Sequence, residues 1–217
     1  MKFPNESNDY RAARNSLLDA ELALRRQIEE VASRRRKLPP GGAVPQDYEF
    51  VDANDRGVRL SQLFKRDASL VVYNFMYGPS MKAPCPMCTS ILDGLDGAVP
   101  HITQRVNLAI VAKSPIERIV AHARDRGWRY LRLLSSANNS YNRDYFGENA
   151  QGEQQPMLNV FVQRNGVVQH AYGTELLFAK MDPGQEPRHV DSIEPLWNVF
   201  DFTPEGRGDF FPALKYS

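Results

Sequence analysis

Cys85 and Cys88 are the only two cysteines in the chain, and only Pro86 and Met87 stand between them, in the stretch YGPSMKAPCPMCTSILDGL. Two thiols at this spacing support three chemistries. As a dithiol they close and reopen a disulfide, as thiolates they supply half of a tetrahedral metal site, and as buried thiols they are inert packing. Chance alone gives this offset in roughly 1% of chains with two cysteines at this length, so the pair carries information.

Context separates the three chemistries. The pair follows the apolar run ASLVVYNFMY and opens a stretch that reads as helix, TSILDGLDGAVPHIT, which Gly94, Gly97 and Pro100 weaken. With Cys85 at the N-cap, Pro86 falls at the first helical position, where its missing N–H costs nothing. The amides of Met87 and Cys88 then point at the Cys85 sulfur, and the helix dipole adds positive charge. Both effects favour thiolate, the nucleophilic form. Lys82, three residues earlier, adds charge if it folds over the site. Cys88, one turn on, is expected to be more buried and placed to resolve a mixed disulfide formed at Cys85. A structural zinc site needs four ligands, and His101, His122, His170 and His189 show no finger-like spacing. Neither a metal nor a cofactor is therefore expected. The reading of two inert buried cysteines stays open.

The elements that must position this pair are legible as patterns. Residues 9–36 read as one long helix, with Ala13, Leu17, Ala20, Leu24, Ile28 and Val31 recurring every three or four positions. That stripe covers either its own domain or the same helix of a second copy, as a homodimer. Pro39-Pro40-Gly41-Gly42 breaks the chain. From residue 44 the pattern changes to short strands: YEFVDANDRGVRLSQLF with a turn at 54–57, the doubly buried run at 68–77, VNLAIVA, and YLRLLSS. Between the last two, Ser114 as cap, Pro115 in the first turn and Gly127 at the end bound a helix. A polar loop to about residue 155 leads into a hairpin turning at Asn165-Gly166. The tail from 190 is aromatic-rich and is expected to lie over the domain. Together these give an α/β mixed sheet with helices on both faces, organised as a 1–43 helical extension, a 44–180 domain and a 181–217 extension.

Composition bounds the rest. At 217 residues, 42% hydrophobic and 24% charged, the chain has enough apolar side chain for a core without staples. A net charge of +1 draws it to neither nucleic acid nor anionic lipid. No apolar run reaches the roughly 20 residues of a membrane span. MKFPNESNDY lacks the apolar region of a secretory signal, so a cytoplasmic, reducing compartment is expected. Met76, Met81 and Met87 cluster near the motif, as core filler or as a soft rim for a partner.

Residues 44–178 resemble a thioredoxin-fold domain of the peroxiredoxin-like branch, which includes alkyl hydroperoxide reductases and thiol-specific antioxidants. The resemblance is carried by YEFVDANDRGVRLSQLF, ASLVVYNFMYG, CPMC, VNLAIVAKSPIERIVAHARDRGWRYLRLLSS and QQPMLNVFVQRNGVV in that order. The whole chain, including its N-terminal helix, RRRKLP and TPEGRGDF, is more closely similar to a bacterial family of thioredoxin-like proteins of unassigned function. The resemblance implies that Cys85 attacks and Cys88 resolves. It also implies that Pro156 is a cis-proline facing them, with Gln155 and Met157 offering backbone to a substrate strand. Three features depart from thioredoxin: the Pro86-Met87 pair, the long loop MYGPSMKAP, and Asn74 where a buried acid would stand to serve Cys88. A peroxidase of this branch carries Pro seven and Thr or Ser three residues before its reactive cysteine. Here those positions hold Gly78 and Lys82, or Met81 and Cys85.

These readings converge on a thiol–disulfide oxidoreductase acting on a protein or small-molecule disulfide or thiol. Two alternatives stand beside it: a thioredoxin-fold binding or assembly module whose cysteines are unused, and a thiol peroxidase.

Overall fold

The computed structural model of the chain describes residues 1–39, 41–65, 68–185 and 190–216. It forms two compact units, Met1–Pro39 and Pro40–Ser217. The first is helix α1 (Asn8–Arg36), capped by Ser7, whose Oγ accepts from the Tyr10 amide, and rich in arginine over its last turn. No residue of α1 is buried, and Leu17, Leu18, Leu24 and Ile28 are all exposed.

The second unit is built on one seven-stranded sheet: β1 (Glu49–Asp52), β2 (Gly57–Arg59), β3 (Leu70–Asn74), β4 (Asn107–Ala112), β5 (Leu133–Ser135), β6 (Met157–Arg164) and β7 (Val167–Gly173). Its order is β2-β1-β5-β4-β3-β6-β7. The middle strands β5, β4 and β3 are parallel, while β6 runs antiparallel to β3 and to β7, and β1 antiparallel to β5. Helices α2 (Pro86–Asp96) and α3 (Val99–Ile102) connect β3 to β4, and α4 (Ile116–Arg126) connects β4 to β5. This is the thioredoxin-like fold. The loop before β6 carries α5 (Tyr141–Asp144), and the tail carries α6 (Pro195–Phe200).

Strand alternation divides the core. Tyr73, Leu108, Ile110, Ala112 and Leu133 face the layer of α2 and α4, meeting Ile91, Leu92 and Ile119. Leu70, Val72, Ala109, Val111 and Leu134 face the opposite layer, meeting Leu60, Leu63, Tyr141 and Phe161. Each fully buried aliphatic side chain stabilises the fold by about 1.5–3 kcal/mol. Val190 and Ile193 of the tail pack into the α2–α4 layer, so the aromatic extension helps to cover the domain.

The turn residues work as their chemistry requires. Asn165 and Gly166 both have positive φ, 51° and 79°, as a two-residue hairpin turn demands. Gly127 closes α4 in the left-handed region at φ 75°. Ser114 does not cap α4. Pro115 is the N-cap residue, and the Ser114 hydroxyl instead donates to the Gly78 carbonyl at 3.1 Å, drawn away by the loop that carries the cysteines.

Candidate active site

The chain leaves β3 at Asn74 and is drawn back at Cys85, whose amide donates to the Met76 carbonyl at 3.0 Å. Arg118 on α4 holds the excursion down. Its guanidinium donates to the carbonyls of Pro79 at 2.9 Å, Gly78 at 3.4 Å and Met81, and lies 4.5 Å from the centre of the Tyr77 ring. A planar five-donor fork suits this task in a way an ammonium does not.

Cys85 is the N-cap residue of α2, with Pro86 in the first turn, as the spacing predicts. Its carbonyl accepts from the Thr89 amide and the Thr89 hydroxyl, both at 3.0 Å. No cap bond to the sulfur is fully formed, yet the sulfur sits where donors converge. A hydrogen bond from the Cys88 thiol lowers the Cys85 pKa most, burial opposes it, and the Cys88 and Met87 amides add to the lowering. The net effect draws Cys85 down to about 6. Cys88 moves the other way, pushed well above the usual thiol range by its bond to Cys85 and by near-complete burial. Both cysteines are free thiols. One half-buried thiol inclined to ionise thus stands a helical turn from a buried one that resists ionisation.

The contact that supports Cys88 comes from a residue the sequence did not single out. The Tyr73 hydroxyl donates to the Cys88 sulfur at 3.3 Å. Asn74, expected beside the cysteines, points to the other face of the sheet. Its amide lies so close to Gly147 that a Cβ there would meet Nδ2 at 1.7 Å, and among the described residues neither polar atom of the amide has a hydrogen-bond partner. Asn74 is therefore no direct support for Cys88.

A cavity of about 150 Å3 lies over the pair, lined by Tyr73, Cys85, Cys88, Met76, Met87 and Pro156, with Leu177, Asp191, Glu194 and Trp197 from the tail side. Pro156 faces the cysteines as expected, but its isomer is a correction: among the described residues every peptide bond is trans. The physical reason is local. The Gln155 amide donates to the Gly147 carbonyl at 2.9 Å, and Glu148 bridges Gln154, so the chain enters β6 extended and needs no tight turn. The same pairing corrects the expected substrate edge. The Gln155 amide is taken, β6 is flanked by β3 and β7, and Gln155 and Met157 line a separate cleft of about 900 Å3 with Phe146, His170 and Phe178. Lys82 is exposed and is not among the groups that shift Cys85. Met76 and Met81 pack against the α2–α4 core layer, and Met76 and Met87 line the cavity.

Among the described residues, no group of three or more His, Cys, Asp or Glu is placed to hold a metal ion, and no helix is long and apolar enough to cross a membrane. His189, one of the four histidines weighed as ligands, falls outside the described residues.

A family model described as "Bacterial protein of unknown function (DUF899)" matches residues 1–215. The chain belongs to that family. A search of curated proteins finds no match. Among solved structures, the chain is similar to a peroxiredoxin-like protein from Aquifex aeolicus, at 14% identity and TM-score 0.49, over 75% of this chain and 88% of that one. It is also similar to peroxidoxin BcpB from Mycobacterium tuberculosis, at 23% identity and TM-score 0.41, over 58% and 79%. A third is the mitochondrial 2-Cys peroxiredoxin from Plasmodium falciparum, at 14% identity and TM-score 0.46, over 76% and 95%.

For this DUF899 chain, the site residues that sequence reasoning missed are Tyr73, Arg118 and Glu194. Tyr73 was visible only as one aromatic in an apolar strand. The one local signal for Glu194 was its place just before Pro195, a helix-start pattern, since Pro occupies the first turn of α6.

Proposed function

We propose that this protein is a dithiol–disulfide oxidoreductase in which Cys85 attacks a substrate disulfide and Cys88 resolves the mixed disulfide. The observation that carries the reading is the placement of two free thiols at the start of α2: Cys85 half-buried at the N-cap before Pro86, and Cys88 buried one turn on. At neutral pH Cys85 is mostly thiolate, so it attacks one substrate sulfur and releases the other as a thiolate. Cys88 then attacks Cys85, frees the second substrate thiol, and leaves the Cys85–Cys88 disulfide. Two electrons pass from the protein to the substrate. Tyr73 holds the Cys88 sulfur, while the Cys85 carbonyl is fixed by Thr89.

The cavity suits a small or narrow substituent on the substrate sulfur, because it is small and rimmed by Met76, Met87, Leu177 and Trp197. Pro156 acts in this reading as an apolar wall. A cytoplasmic setting keeps the resting dithiol reduced. A second copy pairing through the uncovered stripe of α1 completes the proposed assembly.

Equilibration in glutathione buffers of graded poise, followed by acid quench and thiol trapping, tests the reading. The expected result is a single two-electron transition linking Cys85 to Cys88. Cysteines that stay reduced at every poise would leave the binding or assembly module as the surviving reading.

A further inference from the structure

Glu194 is a carboxylate in an unusual place. It is 2% exposed, it lines the same cavity as Cys85, Cys88 and Tyr73, and its Oε2 has no hydrogen-bond partner among the described residues. Its Oε1 accepts from the Leu196 amide at 3.1 Å and caps α6. A cap needs one oxygen; the second is buried with no hydrogen-bond partner among the described residues, on a residue that lines the cavity over the two thiols. Burying an unpaired carboxylate oxygen costs free energy, so the group is held there against a penalty.

The disulfide-closing step has a matching need. Cys88 reacts as thiolate, but its surroundings hold the proton on sulfur. A base must take that proton as the S–S bond forms. We propose that Glu194 accepts the Cys88 thiol proton during closure of the Cys85–Cys88 disulfide and returns it to the departing substrate thiolate. This rests on the oxidoreductase reading above. The step balances. The Cys88 sulfur bonds to the Cys85 sulfur, the bond from Cys85 to the substrate sulfur breaks with its electron pair on the substrate, and the proton passes from Cys88 to Glu194 and then to the substrate thiolate. Glu194 ends ionised, as it began. The cavity has room for water to carry the proton, since one water occupies about 30 Å3. Burial raises the Glu194 pKa, which makes it a better proton acceptor than an exposed carboxylate.

Among the described residues, the titratable groups that line the cavity with Glu194 are Tyr73 from β3, Cys85 and Cys88 from α2, and Asp191 from the tail. Asp93 on α2 and Asp191 both raise its pKa. Asp93 pairs with Arg126, and Asp191 pairs with Arg207.

Glu194→Gln separates the two roles, because the amide keeps the volume and the Oε1 acceptor for Leu196 but cannot take a proton. Reduced protein is mixed with hydroxyethyl disulfide, quenched in acid at intervals and weighed by mass spectrometry. In the variant, attack at Cys85 is expected to keep its rate, while the mixed disulfide accumulates and closes about 10²-fold more slowly at pH 7. The variant's closing rate is expected to rise about tenfold per pH unit, whereas the native rate levels off once Glu194 is ionised. Equal closing rates in native protein and variant overturn the inference and leave the oxidoreductase reading standing. The native pH profile serves alone if the variant does not fold: a closing rate rising without a plateau from pH 5 to 9 overturns it equally. Native protein that attacks but never closes overturns the oxidoreductase reading, and this inference with it.

Discussion

The Tyr73 hydroxyl donates to the Cys88 sulfur at 3.3 Å, tying the middle of the sheet to the first turn of α2. The next residue along, Asn74, faces the opposite layer, where it packs against Gly147. The buried Cys88 thiol is thus held by a phenol, and it lines a cavity that the buried carboxylate of Glu194 also lines. The same geometry fixes what each supporting residue is expected to do when replaced.

Asp96 ends α2 and fastens it to the start of β5. Its carboxylate accepts from the amides of Arg129 at 3.0 Å, Tyr130 at 2.8 Å and Leu131 at 3.0 Å. Asp96→Ala leaves these donors without a partner and is expected to cost about 1–3 kcal/mol in urea unfolding. Asp96→Asn, which keeps one acceptor oxygen, is expected to fall between. A loss below about 0.5 kcal/mol for the alanine variant would contradict this role.

Arg118 is the clasp on the loop before the cysteines. Arg118→Ala frees the carbonyls of Gly78, Pro79 and Met81, and Arg118→Lys restores charge without the fork. Amide exchange across 78–82 is expected to quicken at least tenfold in both variants, with Cys85 reacting more slowly with small disulfides. Exchange there equal to that of the native protein would show the loop holds without the clasp.

The stripe on α1 predicts a dimer. Leu17 and Leu24 lie on the apolar stripe of a 29-residue helix, and such a helix is stabilised mainly by packing that stripe. Sedimentation equilibrium is expected to find a dimer that Leu17→Glu with Leu24→Glu converts to monomer. A native protein that stays monomeric at high micromolar concentration would remove the second copy from the account.

What was legible in the sequence is what local chemistry decides. Cys85 followed by Pro86 specifies a helix start regardless of the rest of the fold, and Asn165-Gly166 specifies its turn. The β-branched runs at 70–74 and 107–112 are buried on both faces whatever lies above them. What was not legible depends on distant partners. A single position on a strand decides whether Tyr73 or Asn74 meets Cys88, because neighbours point to opposite faces. The Gln155 amide before the trans Pro156 binds the Gly147 carbonyl, a contact no short pattern around Pro156 announces. Ser114 looks like a cap until the Gly78 carbonyl competes for its hydroxyl. Glu194 carries no local sign of burial beyond its place before Pro195, yet it is 2% exposed in the folded chain.

The account depends most on the thiolate at residue 85. The pKa of Cys85 is lowered, so its thiolate persists above about pH 6 and is lost as pH falls through that value. The direct measurement is the rate of Cys85 alkylation by iodoacetamide from pH 4 to 10, read by mass spectrometry in the native protein and in Cys88→Ala. The expected midpoint is about 6 in the native protein, and higher in the variant, which lacks the thiol that lowers it most. A native midpoint near 8.5, the value of an unperturbed cysteine, would contradict the account at its centre.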